Sequence, residues 1–89
     1  MRTSVRSRQF RRDVERAGRR GEDLARLREL LSLLVAGQEL PQRYQDHPLK
    51  GIWKGYRDAH IAPDWLLIYR IVGNELQLVR TGTHADLFG

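Results

Sequence analysis

The spacing of apolar residues changes once along this chain, at Pro41, and that change dictates two kinds of secondary structure within one short sequence. In residues 7–17 the apolar positions Phe10, Val14 and Ala17 recur at i, i+4 and i+7, the period of an amphipathic helix. Gly18 and Gly21 bracket Arg19-Arg20 and supply a stop and a turn. A second helix is predicted to start at Glu22 and Asp23, whose charges suit a helix N-terminus, and to end at Gly37. Its stripe of Leu24, Leu27, Leu31 and Leu34 is widened by Leu30, Leu33 and Val35, so it should be the more buried of the two. Beyond Pro41 the helical period is gone.

Three strand segments follow, residues 53–61, 65–72 and 75–81. The run Leu66-Leu67-Ile68-Tyr69 is apolar on both faces, which marks the middle segment as a central strand. Gly73-Asn74 joins the last two, and glycine in first position favours a type II′ turn. Residues 2–5 fit a short edge strand. The expected fold is α+β: an N-terminal helical hairpin packed on a small antiparallel β-sheet, with residues 1–89 as one domain. The turn also sets a register, with Val72 against Glu75, Ile71 against Leu76, Tyr69 against Leu78 and Leu67 against Arg80. Extended, the ladder puts Asp64 opposite Thr83 and Pro63 opposite His84, with a bulge or bend expected at Gly82.

Composition removes several function classes. Without cysteine there are no disulfides and no thiolate zinc sites. No apolar run approaches the roughly 20 residues that span a bilayer. The arginine-rich N-terminus lacks the apolar segment of a signal peptide, so the expected address is the cytoplasm, with no membrane partner. Charge is unevenly placed: residues 1–20 carry eight arginines against Asp13 and Glu15, and the remainder is close to neutral. Such a stripe suits an RNA or ribosome surface, or an acidic protein partner; a solvated helix face is the plainer alternative.

All three histidines, His47, His60 and His84, fall in the second half, each inside a short polar cluster. The register gathers His60, Asp64 and His84 at one end of the sheet. Metal chelation fits poorly, because Pro63 breaks the helix that would align His60 and Asp64 as ligands. Nucleophilic attack by the chain also fits poorly: Ser4, Ser7 and Ser32 all lie in the N-terminal region, outside any nucleophile-elbow context.

Cleavage of RNA by its own 2′-hydroxyl fits better. It needs a general base for the 2′-OH, a general acid for the leaving 5′-oxygen, and positive charge at the phosphate. Histidines and carboxylates supply the first two, Arg80 or Lys54 the third, and Trp65 or Phe88 offers a ring to an unstacked base. No cofactor is required. Taken singly, His47 reads as a loop residue, His60 as a strand-end hydrogen-bonding residue, and Trp53 and Trp65 as core. Asp46 and Asp58 read as capping or turn residues.

The ordered stretches Asp46-His47-Pro48-Leu49-Lys50-Gly51-Ile52-Trp53-Lys54-Gly55-Tyr56-Arg57-Asp58-Ala59-His60, Pro63-Asp64-Trp65-Leu66-Leu67-Ile68-Tyr69 and Arg80-Thr81-Gly82-Thr83-His84, with Leu87-Phe88-Gly89, closely resemble the YafQ toxins. These form a branch of the RelE/ParE superfamily of bacterial type II toxin–antitoxin systems. The resemblance is dense over residues 46–89 and limited to helical layout and basic character before that. It implies a RelE-like fold and a ribosome-dependent mRNA endoribonuclease neutralised by a cognate antitoxin. Promoter DNA would be met only through the antitoxin complex. The resemblance assigns catalysis to His47, His60, Asp64, His84 and Phe88, with Trp65 also at the site. A gyrase-poisoning toxin of the same fold is the first rival, and the three histidines argue against it. The second is a non-catalytic nucleic-acid-binding module, which the basic first helix keeps open.

Overall fold

Each of the two long helices starts on a side chain that replaces a missing backbone acceptor. The Ser7 hydroxyl accepts the Phe10 N–H at 2.9 Å and the Asp23 carboxylate accepts the Ala25 N–H at 3.0 Å. In the computed structural model, which describes Met1–Gly89, these caps open α1 (Arg8–Arg19) and α2 (Leu24–Val35). Glu22 therefore precedes α2 instead of starting it. Gly18 does not stop α1 but lies inside it; the reversal comes at Gly21, whose φ of 84° favours glycine.

The sheet has five strands in the order β1-β5-β4-β3-β2, where β1 is Thr3–Arg6, β2 His47–Pro48, β3 Arg57–Ala62, β4 Trp65–Val72 and β5 Glu75–Gly82. It is mixed, not purely antiparallel, because the edge strand β1 runs parallel to β5. The chain leaves β1 through α1 and α2, so no hairpin constrains the direction of that pair. The first predicted strand is shorter than expected: Gly51–Trp53 forms a 3₁₀ turn and β3 begins at Arg57. Gly73 has φ 60° and Asn74 does not share a positive φ, the backbone signature of the expected type II′ turn.

Near that turn the register is the expected one, but it slips by one residue further along. Tyr69 pairs with Leu78, Ile68 with Arg80, Leu67 with Thr81 and Leu66 with Gly82. The extra residue is Val79, whose side chain packs against the Leu66, Ile68 and Leu87 cluster. The bulge is thus at Val79 rather than Gly82. Its effect is to carry His84, at the start of α3 (His84–Phe88), to the position beside Asp64.

The two faces of the sheet are covered differently. Phe10, Ala17, Leu27, Leu30 and Leu34 from α1 and α2 pack with Leu67, Tyr69, Leu76 and Leu78 into the main core. On the other face Leu66 and Ile68 meet only Leu87 of α3 and part-buried side chains such as Leu49, Trp53 and Tyr56. That thinly covered face carries the histidines. Asp58 and His60, two apart on β3, pair with Ile68 and Leu66 and so stand on it.

Candidate active site

Three elements deliver three imidazoles to one place. β2 brings His47 opposite Asp58, β3 brings His60, and the start of α3 brings His84. The rings form a row: His47 to His60 centroids are 6.5 Å apart and His60 to His84 5.6 Å. Phe88 continues it, 6.4 Å from His84. α3 is short, yet its first turn is fixed by reciprocal bonds. The Thr83 hydroxyl accepts the Asp86 N–H at 3.1 Å while Asp86 accepts the Thr83 N–H at 2.9 Å. A Cβ at residue 82 would lie 2.9 Å from Asp86, so glycine is needed for α3 to approach β5 this closely.

Hydrogen bonding decides what the His84 and His47 rings present, whereas His60 Nδ1 is buried without a partner. Asp64 Oδ1 accepts from His84 Nδ1 at 2.6 Å, which puts a proton on Nδ1 and leaves Nε2 of a neutral ring as an acceptor. The backbone and side-chain bonds from His84 hold the Asp64 carboxyl below the usual carboxylate range. His47 Nδ1 lies 2.7 Å from the Gln45 carbonyl and 3.0 Å from Asp58 Oδ1. Both neighbours accept, so this nitrogen also carries a proton and His47 presents Nε2 outward.

Asp58, which sequence reasoning read as a capping or turn residue, lies within this group. It is 4% exposed, beneath the rings, and the Nδ1–H aimed at Gln45 leaves its Oδ1 without a hydrogen bond. Burial pushes the Asp58 carboxyl up, against the opposing pull of His47, His60 and His84. Its signal was present in the sequence: Asp58 and His60 share one face of a strand by alternation.

The other expected residues are placed less centrally. Trp65 is 2% exposed and belongs to the main core, so its ring has no face free for a base. Lys54 is exposed in the loop before β3. The Arg80 guanidinium is bound to Asp13 of α1 at 2.7 Å, and Asp13 also accepts from the Thr81 N–H and from Gln9. Asp46, in turn, is a structural partner of Arg57 and the Tyr69 hydroxyl. No three histidine, aspartate or glutamate side chains are grouped so as to hold a metal ion. No helix is long and apolar enough to cross a membrane.

Residues 2–89 match the family described as "Bacterial toxin of type II toxin-antitoxin system, YafQ". The chain belongs to the YafQ toxins. It is 51% identical over 82 residues to the mRNA interferase toxin YafQ of Escherichia coli K12, spanning 91% of this chain and 89% of that one. The crystal structure of YafQ from E. coli BL21(DE3) superposes with a TM-score of 0.95 at 48% identity, covering 100% of both chains. The YafQ chain of the E. coli DinJ–YafQ complex gives 0.93 at 49% identity, again over 100% of both. A metal-bound toxin from Helicobacter pylori gives 0.91 at 41%, over 99% of this chain and 100% of that one. The α+β fold with its mixed five-stranded sheet is therefore the YafQ fold.

Proposed function

We propose that this YafQ toxin is a ribosome-dependent mRNA endoribonuclease working by acid–base catalysis with its histidines. The observation that carries the reading is the row His47, His60, His84 and Phe88, with Asp64 fixing the tautomer of His84. His84 Nε2 takes the proton from a ribose 2′-OH, and the 2′-oxygen attacks the adjacent phosphorus. The P–O5′ bond breaks as His47 or His60 protonates the leaving 5′-oxygen. The products are a 2′,3′-cyclic phosphate and a 5′-hydroxyl, so atoms and protons balance with no added reactant.

Positive charge for the phosphate comes from the imidazolium that donates, with Lys54 as a flanking cation. Arg80 joins them only if it gives part of its fork to the phosphate while keeping Asp13. Phe88, with its ring exposed beside His84, holds the unstacked base. Two Helicobacter pylori toxin structures hold a bound metal, one of them copper; no step proposed here is routed through a metal.

An E. coli relative was solved with DinJ, and a cognate antitoxin is the partner we assign to this chain; promoter DNA is reached through that complex. The exposed arginines of α1 serve ribosomal RNA, and the place of action is the cytoplasm. Primer-extension mapping on a translated mRNA tests the reading. Discrete cuts with the wild type, lost in His84→Ala with the fold retained, are expected. Uncut mRNA with well-folded wild-type toxin overturns it.

A further inference from the structure

Beside His60, the second ring of the row, a cleft of about 620 Å³ opens between α2, the turn at residues 42–44 and β3. Its walls include Arg26, Glu29, Arg43, Gln45, His60 and Pro63, and of the four rings in the row only that of His60. A cleft of this size lies within the range of roughly 300–1,000 Å³ typical of small-ligand sites, and it holds one nucleotide comfortably.

The charges in the cleft favour an anion. Arg43 is bound to the Glu29 carboxylate at 2.6 Å, which neutralises the one acid present, and its guanidinium lies 4.8 Å over the Tyr44 ring. Arg26 is exposed and makes none of the ion pairs found in the molecule. Stacking on Tyr44 and bonding to Glu29 pre-orient Arg43, so less side-chain freedom is lost when it binds a phosphate. Gln45 ties the cleft to catalysis, since its carbonyl accepts from His47.

Polarity follows from the order of the rings. In the cleavage scheme proposed above, on which this inference rests, the nucleotide owning the attacking 2′-OH lies at the His84 and Phe88 end. With His60 as the acid, the nucleoside whose 5′-oxygen departs lies beside His60, at the mouth of this cleft. We propose that the α2–β3 cleft is the subsite for the nucleotide on the 3′ side of the cut, where Arg26 and Arg43 bind its next phosphodiester. RNA thus runs 5′ to 3′ from Phe88 towards α2.

Single-turnover cleavage of ribosome-bound mRNA carrying one uncharged methylphosphonate linkage tests this. The linkage is placed either one nucleotide 3′ or one nucleotide 5′ of the cut. The 3′ replacement should lower the wild-type rate about tenfold, the scale of one charged hydrogen bond, and so should Arg26→Ala with Arg43→Ala on natural RNA. The double variant should then be indifferent to the 3′ replacement while responding to the 5′ one as the wild type does. Arg26→Lys with Arg43→Lys, which keeps the charges, should regain most of the lost rate and guards against a folding artefact. Undiminished sensitivity of the alanine variant to the 3′ replacement, or lost sensitivity to the 5′ one, overturns the assignment. Failure of the wild type to cut any of these RNAs would instead remove the nuclease reading itself.

Discussion

The Asp64 carboxylate accepts two hydrogen bonds from His84, one from its backbone N–H at 3.0 Å and one from its ring Nδ1 at 2.6 Å. The first sets where the residue begins α3; the second sets which nitrogen of the ring faces substrate. Both bonds lower the Asp64 pKa. Its ionised form is therefore kept above the ordinary carboxylate value and lost only as pH falls through the lowered one. Asp64→Asn should reduce single-turnover cleavage by about 10²–10⁴, close to His84→Ala, with an unchanged circular dichroism spectrum. A wild-type rate in Asp64→Asn would show that His84 does not depend on this bond.

Asp58 should trade stability for activity. Burial raises its pKa, so the fold favours the protonated carboxyl. The associated stability is full below the unfolded value and is lost as pH rises through the folded one. Asp58→Asn should remove that slope just above the usual carboxylate range and be at least as stable as wild type at pH 7. Cleavage should nonetheless fall, because His47 and His60 lose the charge beneath them. Urea denaturation across the pH range, alongside single-turnover cleavage, measures both effects. A stability loss at pH 7 would mean that the carboxylate is a net structural asset.

Phe88 and Trp65 separate binding from folding. Phe88 is 45% exposed beside His84, whereas Trp65 is buried. Phe88→Ala should weaken cleavage by roughly the 1–3 kcal/mol of a base–aromatic stack with little change in Tm. Trp65→Ala should cost about 3–5 kcal/mol of stability, as large aromatic truncations in cores do. Thermal melts of the two variants, with activity measured well below both transitions, tell them apart.

The division between helices and strands was legible because period changes at Pro41, and the hairpin register was legible as far as Leu78. Beyond that point the ladder slips at Val79, a residue no weaker a strand former than its neighbours. What decides it is a tertiary contact with Leu66, Ile68 and Leu87. The direction of β1 was hidden for a related reason, since nothing local to Thr3–Arg6 says which way it joins β5. α3 did leave a mark, the Thr83-x-x-Asp86 capping pattern, overshadowed by the adjoining strand. Convergence of His60, Asp64 and His84 could be argued from the turn and the short Ile61-Ala62-Pro63 connection; the arrival of His47 on β2 could not, and the carboxylate beneath the rings could not be ranked without seeing its burial.

Asp13 shows how a catalytic assignment and a structural one compete for the same arginine. Burial opposes ionisation of Asp13, but bonds from Arg80, Gln9 and the Thr81 N–H outweigh it and leave the pKa lowered. Its contribution is therefore present above the ordinary carboxylate value and lost as pH falls through the lowered one. Asp13→Ala leaves Arg80 and the Thr81 N–H unpaired and should cost about 3 kcal/mol, read as a lower urea midpoint at pH 7. A loss of under about 0.5 kcal/mol, the range of ordinary surface changes, would free Arg80 for a phosphate role.

The last prediction concerns the arginines of α1. Arg16 and Arg20 reach Asp86 at 3.7 and 2.6 Å, so they brace α3 and are poor probes of docking. Arg8, Arg11, Arg12 and Arg19 are exposed and make no ion pair, so any role they have lies outside the chain. If that role is ribosomal RNA, each phosphate contact releases counterions and steepens the salt dependence of association by about 0.7–0.9 in log–log slope. Reversing all four to glutamate should weaken ribosome association and flatten that slope by up to about 3. Antitoxin affinity should be unaffected. The opposite pattern, intact ribosome binding with lost antitoxin binding, would move the stripe to the antitoxin interface. In that case the toxin's charge would serve its neutralisation and not its attack.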